Sequence, residues 1–84
     1  MKIIYTIHAQ KKFRDLEGYG IKVRRDKISI TIRKPKYKTK DNGNTISISE
    51  FDKGHNIRVV HKSENHAIII ITFYIYRKGR YGEY

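Results

Sequence analysis

Residues 67–76 read AIIIITFYIY, the longest apolar run in the chain, built almost wholly from β-branched and aromatic side chains. That composition predicts a central β-strand. Strict alternation would place Ile69, Ile71, Phe73 and Ile75 on one face and Ile68, Ile70, Thr72, Tyr74 and Tyr76 on the other. The first half is apolar on both sides, as in a covered sheet, whereas the second half turns an amphipathic surface of Thr72, Tyr74 and Tyr76 outward. The run passes directly into Arg77-Lys78-Gly79-Arg80-Tyr81, so a strand carrying tyrosines ends in three cations and a further tyrosine.

The earlier chain divides at its turn signals. Residues 2–6, KIIYT, predict a first strand or an extended lead-in to a helix. Thr6 is a candidate N-cap. From His8 onward Ala9, Phe13 and Leu16 recur at helical spacing, and Gly18 and Gly20 supply the stop. Residues 21–34 are ambiguous: Ile28, Ile30 and Ile32 alternate as in a strand, while Ile21, Arg25, Ile28 and Ile32 fit a helical stripe. Pro35 ends that element in either form. Asp41-Asn42-Gly43-Asn44 predicts a hairpin turn. Residues 45–51 then supply a strand with Ile46 and Ile48 expected toward the core, and Asp52-Lys53-Gly54 marks another turn. Residues 57–61 give the next strand, and a turn at residues 62–65 leads into the 67–76 run, completing an antiparallel meander.

Charge changes this picture. The 84 residues carry 19 Lys and Arg against 8 Asp and Glu, a formal net charge of +11. Thirteen of the basic side chains fall within residues 1–42, and nine lie between Lys22 and Lys40 with Asp26 the sole acid among them. Such a field points to a polyanionic partner, nucleic acid first, or to an acidic protein. The basic run is either a binding face or a solvated edge that discourages strand pairing. A chain of this length makes one small domain. The absence of cysteine excludes a disulfide scaffold and thiolate zinc sites, in keeping with a cytoplasmic protein. The apolar run is too short and too late for a signal peptide or a membrane span, so no membrane partner is expected. No Gly-rich phosphate loop, paired-carboxylate motif or serine nucleophile signature is present, which removes nucleotide hydrolases, glycosidases and serine hydrolases. His55, His61 and His66 have neither cysteine nor carboxylate at ligand spacing, so neither a metal nor a cofactor is expected.

Four motifs carry a resemblance. Tyr5-Thr6-Ile7-His8-Ala9, the Gly20-Ile21 opening of an element that ends at Pro35, Ile57-Arg58-Val59-Val60, and Ile71-Thr72-Phe73-Tyr74 resemble a family of small prokaryotic domains. That family is similar to the BrnT toxins and, more distantly, to the RelE and ParE toxins. The resemblance spans nearly the whole chain through short, degenerate motifs. It implies an α+β fold over residues 1–84, with two N-terminal helices packed on a four-stranded antiparallel sheet and residues 21–33 helical. It also implies metal-independent cleavage of RNA, with basic and tyrosine side chains orienting the ribose 2′-hydroxyl against its phosphate, and a small antitoxin protein as partner. ParE-like relatives instead act on gyrase, and a shared fold does not by itself carry chemistry.

Cleavage of RNA by its own 2′-hydroxyl needs a proton acceptor, cations over the phosphoryl oxygens and a proton donor for the leaving oxygen. Arg58, Arg77 and Arg80 are the candidate catalytic cations, the last two matching the basic end of the final strand in the toxin families. A guanidinium clamps phosphate through two parallel donors. His8, from the Thr-x-His-Ala motif, and Tyr81 are candidates for proton transfer or stacking. Lys11, Lys12, Arg14, Arg24, Arg25, Lys34, Lys36, Tyr74, Tyr76 and Lys78 are candidate nucleic-acid contacts. Each also has a plainer reading, since helix cations are commonly solvated, a histidine at a helix start commonly caps it, and basic termini commonly fray. The expected functions are an endoribonuclease toxin, a non-catalytic module that binds RNA or DNA, or a toxin or regulator with a protein target.

Overall fold

The computed structural model describes residues 2–80. Its elements are β1 (Lys2–Tyr5), α1 (Ile7–Gly18), α2 (Arg25–Arg33), β2 (Tyr37–Asp41), β3 (Asn44–Asp52), β4 (His55–Glu64) and β5 (Ala67–Arg77). The strands form one sheet in the order β1-β5-β4-β3-β2. The expected α+β class is present, but the sheet has five strands and is mixed, not four and antiparallel. Residues 2–5 are a true strand, paired parallel to β5 from Lys2 opposite Ala67 to Tyr5 opposite Ile70. The first four residues of the last strand, Ala67–Ile70, are therefore held on both sides, by β1 and by β4.

Thr6 sets the entry to α1. Its hydroxyl oxygen accepts from the Ala9 N–H at 3.0 Å, which caps the first helical turn. The same hydroxyl donates to the Ile71 carbonyl at 2.9 Å, and the Thr6 N–H donates to the Ile70 carbonyl at 3.1 Å. The segment at residues 21–34 resolves as four residues of irregular chain followed by α2. Ile28 and Thr31 are buried, Ile32 packs on the core and Ile30 is exposed, which is helical spacing and not strand alternation. The helix stops at Lys34, immediately before Pro35.

The main core lies between the helices and one sheet face and is built on Ala9, Val23, Ile28, Ile57, Val59, Ile70 and Phe73. Phe13 of α1 lies 4.7 Å from Phe73 and 5.5 Å from Tyr5, ring centre to ring centre. Each such aromatic pair adds about 0.5–1.5 kcal/mol beyond burial. The Arg25 guanidinium covers both Tyr5 and Phe13, and burial pushes the Tyr5 phenol above its ordinary range against the opposing pull of Arg25.

β5 departs from strict alternation. Val60 pairs with Thr72 but His61 pairs with Ile70, which leaves Ile71 as a bulge. Ile68 and Ile70 consequently join Phe73 and Ile75 toward the helices, in place of the Ile69 and Ile71 that a regular strand would present. Ile46 and Ile48 are buried, though not in the helix-side core. They pack with Tyr76 and Val60 as a second cluster on the opposite face, while Ser47, opposite Val59, faces the helix side. The first hairpin turns at Asn42 and Gly43, with φ 51° and 81° as a type I′ turn requires. The last turns at Asn65 and His66, so β4 runs on to Glu64 through most of the segment expected to be the turn. Among the described residues no helix is long and apolar enough to cross a membrane.

Ser47 Oγ lies 2.8 Å from His61 Nε2 within the buried part of the sheet. Burial pushes the His61 imidazole below its ordinary range, and the Lys38 charge adds to the effect. A depressed folded-state value means that the unfolded chain binds the proton more readily. The stabilisation is then fully present above the unfolded value of about 6.5 and is lost as pH falls toward the lower folded one. Thermal unfolding followed by circular dichroism should show Tm falling as pH drops below about 6.5, and His61→Gln should flatten that part of the profile. Equal slopes in the two proteins would contradict this assignment.

Candidate functional site

β3 and β4 are joined by the tight turn Asp52-Lys53-Gly54-His55. Asp52 Oδ1 accepts from the Gly54 N–H at 3.0 Å, closing an Asx turn. The same oxygen lies 2.8 Å from His55 Nδ1. The Asp52 carboxyl is held below its usual range chiefly by its hydrogen bond with His55, so it is an anion that can only accept. His55 Nδ1 therefore carries the hydrogen and donates, and Nε2 is left as the basic nitrogen.

Register brings Arg77 opposite His55. Beyond the end of β5 the Lys78 N–H donates to the Gly54 carbonyl at 3.1 Å, and the Arg80 N–H donates to the Arg77 carbonyl at 3.2 Å. Gly79 between them has φ +84°, a conformation that glycine adopts without strain, and the chain turns back there toward the hairpin. The result is an open cleft of about 270 Å³ with Asp52, His55, Arg77 and Arg80 as its polar side and Ile21, Phe51, Ile75 and Tyr76 as its apolar side.

The expected catalytic residues do not all meet. Arg77 and Arg80 share the cleft. Arg58 stands opposite Tyr74 on one side and Ile48 on the other, on the sheet face away from the helices, because Ile57 and Val59 on either side of it point into the core. His8 is exposed at the start of α1, level with the Ile70 and Ile71 carbonyls that bind Thr6, and the cleft is about 20 Å further along β5. Tyr81 lies outside the described residues.

The expected nucleic-acid contacts also divide. Tyr76 is 4% exposed and packed against Ile46 and Ile48, so its ring is a wall and not a stacking platform, whereas Tyr74 is 40% exposed. Lys12 Nζ lies 4.5 Å above the Tyr74 ring, which joins two of the expected contacts in one place. Arg25 is occupied over Tyr5 and Phe13, Arg24 pairs with Asp26, and Lys78 pairs with Glu50. Lys11, Arg14, Lys34 and Lys36 are exposed.

His55 has no place in the reading from sequence, where it is weighed only as a metal ligand. The available signal is local: an aspartate with a histidine three positions on, across a tight glycine turn, can bond back to it. His61 is about 20 Å away along β4 and is bonded to Ser47, so these two histidines do not share an ion. Among the described residues no group of three His, Cys, Asp or Glu side chains gathers as a metal site. No protein-family model, no curated protein and no solved structure matches the chain. The class that the geometry itself defines is an α+β domain of two helices on a five-stranded mixed sheet, with an arginine-lined cleft at one sheet end.

Two guanidinium groups beside an imidazole suit a phosphate, since each arginine offers planar paired donors. Titration with inorganic phosphate, followed by heteronuclear NMR, should shift the resonances of Gly54, His55, Arg77 and Arg80 first. The Arg77→Ala, Arg80→Ala double variant should lose those shifts and keep a dispersed spectrum. Shifts of equal size along Lys36, Lys38 and Lys40 would contradict a built anion site.

Proposed function

We propose that the cleft cleaves RNA with the substrate's own 2′-hydroxyl as nucleophile. The observation that carries this reading is the Asp52–His55 pair set beside Arg77 and Arg80 in one cleft. His55 Nε2 takes the 2′-hydroxyl proton while the 2′-oxygen bonds to the adjacent phosphorus. The bond from phosphorus to the 5′-oxygen breaks, and the imidazolium returns the proton to that leaving oxygen. The products are a 2′,3′-cyclic phosphate and a 5′-hydroxyl. Arg77 and Arg80 donate to the phosphoryl oxygens as negative charge builds on them. Asp52 holds the productive tautomer and stabilises the imidazolium.

The net charge of +11 supports an RNA partner by raising its local concentration and speeding encounter. The likeness of the sequence motifs to BrnT and RelE toxins adds a biological setting: a cytoplasmic toxin held in check by a small antitoxin. A non-catalytic RNA- or DNA-binding module is the second reading. It is supported by the placement of thirteen of the 19 basic side chains within residues 1–42, none of which lines the cleft.

Purified protein in EDTA should cleave single-stranded RNA. His55→Ala should slow the reaction by roughly 10²–10⁴-fold, and Arg77→Ala and Arg80→Ala should each slow it as well. Binding without cleavage by the wild-type protein, with log affinity falling linearly against log salt, would favour the binding module and remove the enzyme.

A further inference from the structure

We infer that the Phe51 ring is the platform on which the base of the attacking nucleotide stacks; this rests on the cleft being the site of RNA cleavage. The backbone places the ring there. Glu50 pairs with Asn56 and Asp52 pairs with His55, so Phe51 is the extra residue of a bulge in β3. Regular alternation would direct Phe51 and Asp52 to opposite faces of the sheet. With the bulge, both residues border the same cleft, and an aromatic ring stands one residue from the carboxylate that orients His55.

The wall around that ring is apolar. Ile21, Phe51 and Ile75 are each half-buried, resting on the main core and bordering the cleft. Their side chains offer surface to a flat partner and no hydrogen bond. The arginines on the polar side account for a phosphate, whereas this wall answers to an apolar, planar group. Ribose chemistry sets which base that is. The base leaves the sugar from the carbon next to the one bearing the 2′-hydroxyl, so a 2′-oxygen held at His55 Nε2 brings its own base beside the hairpin. Tyr76, the other aromatic residue at the cleft, packs its ring with Ile46 and Ile48, which leaves Phe51 for this task. Every base has a π-face, and the wall carries no group that reads a base edge. The cleft therefore selects for the presence of a base and tolerates its identity.

Methyl NMR titrations of the full chain with adenosine 3′-monophosphate, ribose 5-phosphate and inorganic phosphate test this platform. Adenosine 3′-monophosphate should bind more tightly than the other two, and its ring current should displace the Ile21 and Ile75 methyl resonances, which the other two leave in place. Phe51→Leu should weaken adenosine 3′-monophosphate roughly 5- to 150-fold and leave the affinity for ribose 5-phosphate unchanged. Phe51→Tyr should retain the wild-type affinities. Equal affinity of the wild-type protein for adenosine 3′-monophosphate and ribose 5-phosphate overturns the platform. So does a loss in Phe51→Leu that falls equally on both ligands, which marks a purely structural ring. Where Phe51→Leu does not fold, the methyl shifts of the wild-type protein decide. Base-dependent binding without cleavage of RNA would end the functional reading and leave the platform standing.

Discussion

The Thr6 hydroxyl makes the contact on which the rest of the architecture depends. It accepts from the Ala9 N–H and donates to the Ile71 carbonyl, so one oxygen both starts α1 and ties it to the last strand. The carbonyl it meets belongs to the bulge residue of β5, whose ladder with β4 is interrupted there. Without a partner this carbonyl would carry the cost of an unsatisfied polar group in a part-buried place. The bulge in turn shifts the phase of β5, so that Ile70 and Phe73 both reach the helix-side core. Packing of Phe13 on Phe73 then fixes α1 along the second half of the strand.

This joint has a consequence for the two sheet faces. With Phe73 and Ile75 directed to the helices, the alternation carries Arg77 to the same side, opposite His55 and beside Ile21 and Phe51. Tyr74 and Tyr76 are directed to the other face with Arg58. The basic end of the chain is thus divided: Arg77 and Arg80 belong to a cleft at the sheet end, while Lys78 lies on the far face and is neutralised by Glu50. A cleft made of strand ends and a hairpin turn is positioned by the sheet ladder up to Arg77 and by turn hydrogen bonds after it.

Local signals were legible in the sequence, and long-range ones were not. The Thr6 cap, the Asn42-Gly43 hairpin, the stop at Pro35 and the β-character of residues 67–76 all rest on propensities acting over a few residues. The ambiguity at residues 21–34 had no local solution, because Ile28 and Ile32 satisfy both periods and Ile30 only the strand's, until the core selects Ile28 and Ile32. The parallel pairing of β1 was hidden, since a strand of 4 residues carries little pattern and its partner lies at the other end of the chain. The Ile71 bulge depends on a hydrogen bond between residues 65 positions apart, which alternation cannot foresee. At the site, Arg77 and Arg80 were legible as a basic strand end. His55 was not, because its chemistry comes from the backbone turn that returns it to Asp52.

The proposed chemistry uses the 2′-hydroxyl of one nucleotide and nothing else of the sugar, so a DNA oligonucleotide with a single ribonucleotide in its middle isolates it. Incubated with the wild-type protein and analysed by mass spectrometry, this oligonucleotide should be cut only on the 3′ side of the ribonucleotide, leaving a 2′,3′-cyclic phosphate and a 5′-hydroxyl. Cleavage at deoxyribonucleotide positions, or products ending in a 5′-phosphate, would contradict attack by the 2′-oxygen and with it the role assigned to His55, Arg77 and Arg80.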